Sequence, residues 1–328
     1  MNVIDRSKWK QLFDNIEETL TDVATLPRDD MADAATVRAA NQAKFANATS
    51  GILARVFDPS MTNEEFWSEI VAKPLWTARG PAHGKMIETT SEYMSDFGGA
   101  WLKDGPERTA MLADENYLER GQRRQVIEAA LKDAHRWLAL HPDKTLIDKF
   151  IPQAERGFDE VSLRAIFNRL EATLGWGEVT TFHVMMDLGL PVVKPDRVVT
   201  LVAVRLGLIR QYDKVAVVRG TKQSSTERLP STLPQGKITV QSLSSDMDFV
   251  WTLQGTMREI ARETGRSVRD LDWLLVKLGA TIDPGAGIVR SVCERAQPKC
   301  HICLANSICA FGKFNRKEAK KRAMALAA

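Results

Sequence analysis

The chain's four cysteines all fall between residues 293 and 309, in the stretch CERAQPKCHICLANSIC. Cys293, Cys300, Cys303 and Cys309 are spaced C-x6-C-x2-C-x5-C. Thiolates gathered so closely repel one another unless a cation holds them, so the residues read as a metal site. Tetrahedral sulfur ligation suits zinc or an iron–sulfur cluster. Structural zinc sites commonly use two short pairs joined by a longer arm. Here a single short pair, Cys300 and Cys303, has one outlier on each side, and one compact loop holds all four. That arrangement favours a [4Fe–4S] cluster. Disulfides would need an oxidising compartment, to which nothing in the sequence points. His301 stands inside the loop, but four cysteines already complete a cubane.

A second constellation spans residues 175–196. Leu174-Gly175-Trp176-Gly177 reads as a tight turn between two helical stretches. Glycines one residue apart let the backbone turn sharply and leave amides uncovered beside the next helix start. Such amides form an anion site that suits a DNA phosphate, fixing position without reading sequence. Lys194-Pro195-Asp196 then introduces a new apolar helix. Proline ends the preceding segment, and Asp196 takes the N-cap position. Capping is the ordinary role of such an aspartate; its chemistry becomes interesting only in company.

The elements that must position these groups are mostly helical. Residues 5–24 carry apolar side chains at helical spacing, namely Trp9, Leu12, Phe13, Ile16 and Leu20. Thr62-Asn63-Glu64-Glu65 is a capping box that opens a further helix. Helices are predicted over 119–140, 160–173, 178–188, 197–208, 248–263 and 267–279. The exception is 212–246, where KVAVVRG and KITVQSL flank a Ser/Pro/Thr-rich stretch and predict an inserted hairpin or long surface loop. The composition is that of an ordinary globular protein, 44% apolar and 27% charged, in 328 residues. No apolar run approaches the ~18–20 residues that a spanning helix takes. The net charge of +3 does not argue for nucleic acid by itself. The tail after Cys309 is basic, with Lys313, Arg316, Lys317, Lys320, Lys321 and Arg322 against Glu318 alone. It reads equally as a phosphate contact or as a solvated helix end.

The cysteine loop resembles the iron–sulfur loop of the endonuclease III and adenine-glycosylase branch of the helix-hairpin-helix DNA glycosylases. The likeness includes the four-cysteine spacing, Pro298-Lys299 ahead of Cys300, and a place near the C-terminus. The hairpin at 174–177, the apolar helix, the short loop and the capping Asp196 resemble that superfamily's helix-hairpin-helix and aspartate motif. The two motifs stand in the family's order and cover 175–208 and 293–309. The N-terminal third has no counterpart.

The resemblance implies an all-α, two-lobed fold. Residues 1–58 would be N-terminal helices packing on the C-terminal lobe. Residues 59–195 would form a helical barrel lobe with the hairpin, and 196–328 an iron–sulfur lobe interrupted at 212–246. Asp196 would be the catalytic carboxylate, at the cleft between lobes. Gly175, Trp176, Gly177 and Lys194 would contact DNA, and Trp76, Thr77 and Arg79 would fill the gap left by a flipped base. The cysteines would hold a [4Fe–4S] cluster of structural role. Breaking an N-glycosidic bond builds positive charge on the sugar, which a carboxylate on one face stabilises while orienting water.

One departure narrows the reaction. Bifunctional members carry a nucleophilic lysine in a G-x-G-x-K pattern, where this chain has Gly175-Trp176-Gly177-Glu178-Val179. Valine cannot attack C1′, so the resemblance implies a monofunctional glycosylase that leaves an abasic site. Lys194 is the nearest amine and is expected to meet a phosphate or solvent. A second departure, Lys194-Pro195-Asp196 where relatives have Val-Asp-Thr-His, leaves the base open. The expected role is base excision on double-stranded DNA by a monomer in the cytoplasm, at the nucleoid. The alternatives are a glycosylase acting on glucosylated cytosine of phage DNA in antiviral defence, and a non-catalytic iron–sulfur DNA-binding module.

Overall fold

The computed structural model describes residues 4–26, 33–76, 84–115, 122–175, 177–209, 218–219, 226–227, 243, 246–279, 282–294, 298–313 and 315–317. The chain divides into two compact units, Met1–Ala54 with Pro191–Ala328, and Arg55–Leu190. The boundaries fall at 54/55 and 190/191, so Lys194 and Pro195 belong to the same unit as Asp196. Among the described residues no helix is long and apolar enough to cross a membrane.

In chain order the first unit begins with α1 (Trp9–Glu18), which continues as a π-helical turn, Thr19–Ala24, and α2 (Ala34–Leu53). The second unit holds α3 (Asn63–Trp76), α4 (Gly84–Ser95), α5 (Pro106–Ala113), α6 (Gln122–Leu140), α7 (Leu146–Phe150), α8 (Glu160–Leu174) and α9 (Glu178–Asp187). The chain then returns to the first unit with α10 (Arg197–Leu206), α11 (Met247–Thr264) and α12 (Val268–Gly279). The protein is predominantly helical.

The α1 stripe buries Trp9, Leu12, Phe13 and Ile16, with Leu20 one turn further on, all fully enclosed. α12 lies along α10, and Gly279 makes the approach possible. A Cβ there would stand 2.4 Å from Val202 Cγ2 and 2.8 Å from Val198 Cγ1. Arg266, just before α12, donates to Asp14 and Glu17 of α1 and to Asp270 of α12, tying three segments by charge. In the second unit the capping box forms in both directions. Thr62 N donates to Glu65 Oε2 at 2.8 Å, and Glu65 N to Thr62 Oγ1 at 3.2 Å. Behind it, the buried Trp67 indole donates to Met94 O at 2.9 Å, and Phe66 stacks on Phe150.

Within 212–246 the described residues form one antiparallel pair, β1 (Val218–Arg219) with β2 (Thr226–Glu227), Val218 opposite Glu227. The pairing is tighter than the sequence suggests. β2 falls inside the Ser/Thr-rich stretch, because closing a short connection costs less chain entropy than closing a long one. Residues 237–242, read as the second strand, lie outside the described residues.

Candidate functional site

The segment entering α10 contains the carboxylate of interest. Asp196 caps the helix: its Oδ1 accepts from Val198 N at 2.8 Å and Val199 N at 2.9 Å. Those two bonds hold the side chain in one orientation and place its charge at the positive end of the helix. The other oxygen, Oδ2, lies 3.4 Å from Lys194 Nζ. The side chains of Lys194 and Asp196 are 27% and 24% exposed, so solvent reaches the pair from one side. Lys194 therefore salt-bridges the capping aspartate. The sequence reading had it facing a phosphate or solvent; a charge two residues away on the same turn is the nearer partner.

The backbone before Asp196 is held by two buried side chains that sequence reasoning missed. Gln254 of α11, fully enclosed, brackets Val193: its Oε1 accepts from Val193 N at 2.9 Å, and its Nε2 donates to Val193 O at 2.7 Å. Asp272 of α12, 4% exposed, accepts from Lys194 N at 3.0 Å. Lys194 O in turn accepts from Asp196 N at 2.8 Å, closing the turn. Burial pushes the Asp272 carboxyl up to about 7. The nearby negative charge of Asp196 adds to this, while the Lys194 amide and the Arg269 and Lys194 charges oppose it.

At the other end of α10 stands the cysteine loop. Cys293, Cys300, Cys303 and Cys309 line one small pocket, together with Arg205, Leu278 and Phe311 among others. The loop is anchored by its neighbours. Cys293 N donates to Leu278 O, and Lys299 N to Val292 O. From α1, Asn15 donates to Leu304 O, while Leu304 N donates to Thr19 Oγ1. Arg205, wholly buried, donates from Nη1 to the carbonyls of Cys293 and Glu294, both at 2.9 Å, and lies 3.6 Å from Cys293 Sγ. Its guanidinium also sits over the Phe311 ring. Burial pushes the Cys303 and Cys309 thiols up, to about 11 and about 12, with repulsion from neighbouring cysteines adding to it. Among the described residues no three His, Cys, Asp or Glu side chains converge on a point that holds a single metal ion.

The hairpin belongs to the second unit. Gly175 ends α8 at φ 56°, and Gly177 precedes α9 at φ 82°. Both values lie in the left-handed region that glycine tolerates. A Cβ at either would meet nothing within 4 Å, so conformation and not crowding calls for glycine there. The expected bare amide at Gly177 is occupied: Gly177 N donates to Glu171 Oε1 at 3.2 Å. Glu171 Oε2 accepts from the Thr181 hydroxyl at 2.6 Å. A carboxylate from the last turn of α8 thus meets one of the amides that the sequence offers to a phosphate.

Of the remaining candidates, Trp76 ends α3, while Thr77, Arg79 and Trp176 lie outside the described residues. His183 pairs with the buried Asp187 one turn on, at 3.4 Å. In the basic tail, Arg316 folds back onto the carbonyls of Asn306 and Ser307. Comparison with family models, with curated proteins and with solved structures finds no match to this chain.

Proposed function

We propose that the protein is a monofunctional DNA glycosylase, which hydrolyses the bond between a damaged, mispaired or modified base and its deoxyribose. The observation that carries this reading is the state of Asp196. One oxygen is locked by two helix-start amides, and the other lies 3.4 Å from the Lys194 ammonium at a place that solvent reaches. A carboxylate held in that way is pre-oriented, as stabilising a developing cation demands. As the glycosidic bond stretches, positive charge builds on the sugar, and Asp196 Oδ2 stabilises it and directs the attacking water. Val179 supplies no amine after the hairpin, and Lys194 is engaged with Asp196. Both features favour hydrolysis over Schiff-base chemistry.

The cysteine cavity supports a [4Fe–4S] cluster held by Cys293, Cys300, Cys303 and Cys309. A single zinc ion needs its four ligand atoms at about 2.3 Å from one point. A cubane spreads its four thiolates over four irons, and so suits four side chains that line one pocket. When bound, the group would close the loop covalently, and the buried Arg205 would offset its negative charge.

The test is a set of duplexes, each with one uracil, mismatched thymine, alkylated purine, oxidised pyrimidine or glucosylated cytosine. The expected outcome is abasic sites in one of them, with the strand intact until alkali cleaves it, and none with Asp196→Asn. Strand nicking without alkali would overturn the monofunctional assignment.

A further inference from the structure

The structure points to a second tier behind Asp196: we propose that Asp272 and Gln254 are positioning residues that set the Lys194–Asp196 turn and, through it, the direction of Asp196 Oδ2. The two come from different helices, α12 and α11, and meet consecutive residues of one loop. Gln254 satisfies both the N–H and the carbonyl of Val193, as a neighbouring strand would. Asp272 takes the next N–H, that of Lys194. With Asp196 N bonded back to Lys194 O, backbone groups of three of the four residues 193–196 are fixed before the helix begins. The fourth is Pro195, which has no N–H to fix and a restricted φ of its own.

The polar groups doing this are costly to bury. Gln254 is fully enclosed and Asp272 is 4% exposed. A leucine at either place would continue the core, so the stability of the unit alone does not explain them. What they accomplish is geometric: an irregular loop is held from inside as firmly as a strand. The charged groups facing Asp272 are Lys194 and Asp196 from that loop and Arg269 from its own helix. The α11 partner, Gln254, carries no charge. Asp196 has two amides and an ammonium about it, and Asp272 accepts only the Lys194 amide among the described residues.

This proposal rests on the glycosylase reading for its activity measurement, but not for its structural one. The experiment compares wild type, Asp272→Ala, Asp272→Asn and Gln254→Glu by amide hydrogen exchange over residues 192–199 and by single-turnover base release. Asp272→Ala removes the acceptor. The expected result is about ten-fold faster exchange at the Lys194 amide and about ten- to a hundred-fold slower release, at unchanged DNA affinity. Asp272→Asn keeps an acceptor oxygen, and both readouts return to near wild type. Gln254→Glu keeps the bond from Val193 N and loses the one to Val193 O, with a smaller effect in the same direction. It serves where the alanine variant fails to fold. Unchanged exchange in Asp272→Ala and Gln254→Glu overturns the positioning role. Normal release by both, from an active wild type, overturns it equally. A wild type that releases no base, with the exchange pattern as expected, sinks the glycosylase reading and leaves the positioning role standing.

Discussion

Two loops in this chain do the same local job by opposite means. Gly175–Gly177 leads into α9 and Lys194–Asp196 leads into α10, and each must deal with the bare amides of a helix start. At the first, the turn is made by two left-handed glycines, and the nearest carboxylate, Glu171, comes from the helix just left behind. At the second, the cap is the loop's own aspartate, and the backbone ahead of it is gripped by side chains sixty or more positions away in sequence, Gln254 and Asp272. The difference teaches where precision is being spent. If, as proposed, the hairpin only grips a polyanion, it needs a turn and a few donors. A carboxylate that meets a developing cation must be held against movement of a fraction of an ångström, because misplacement by about 1 Å can cost a hundred-fold in rate.

The largest effect expected from this contrast is at Asp196. Asn caps a helix about as well as Asp, so Asp196→Asn keeps the fold. It removes the charge, and single-turnover release is expected to fall by about 10^2- to 10^4-fold at near-normal melting temperature. A fall below ten-fold would move the chemistry to another group.

The next effect tests the buried partner through stability. The Asp272 carboxyl stands near 7 in the folded chain against 3.8 when unperturbed. Between those values the unfolded chain releases a proton that the folded chain retains, so wild type loses stability as pH rises. Asp272→Asn does not titrate. Its advantage over wild type should be absent near pH 4 and grow through the interval, reaching at most about 4 kcal/mol above pH 7. Urea midpoints measured across that range check it, and a gap independent of pH would contradict the assignment.

Gly177→Ala should cost less, about 1–2 kcal/mol in the second unit, because φ 82° opposes any Cβ while the surroundings leave room for one. The smallest effect sharpens the comparison most. Glu171→Gln keeps the bond from Gly177 N and removes a negative charge from the hairpin. If a phosphate docks there, duplex affinity should rise up to about five-fold at low salt and converge with wild type at high salt. Equal affinity at all salt concentrations would show that the hairpin does not meet the backbone of DNA.

What could be read from sequence was what depends on near neighbours. The Thr62–Glu65 box, the Asp196 cap, the left-handed Gly175 and the α1 stripe all follow from residues within one or two turns. The cysteine spacing likewise told of one loop, and the four do line one cavity. What stayed hidden depends on which helix faces which. Gln254 occupies the stripe Val250, Gln254, Met257, and Asp272 the stripe Val268, Asp272, Leu275, each a polar residue where helical spacing expects an apolar one. That mismatch was the available signal, but without the fold it names no partner. Arg205 is a similar case: a charged residue at the end of an apolar helix, it is enclosed against the Cys293 carbonyl. Glu171 shows the converse: the donors of the hairpin are legible in its two glycines, while the acceptor that meets Gly177 N depends on how the last turn of α8 folds toward it.

The most direct test of the central claim is mass spectrometry of what the protein frees from DNA. Wild type and Asp196→Asn would each be incubated with genomic DNA containing the test lesions, and with phage DNA carrying glucosylated cytosine. Each supernatant would then be searched for free bases. The account predicts one class of base released by wild type, an equal number of abasic sites left in the DNA, and neither from Asp196→Asn. Tight binding of every DNA with no base freed from any would contradict it, and would leave a DNA-binding protein whose helix cap is only a cap.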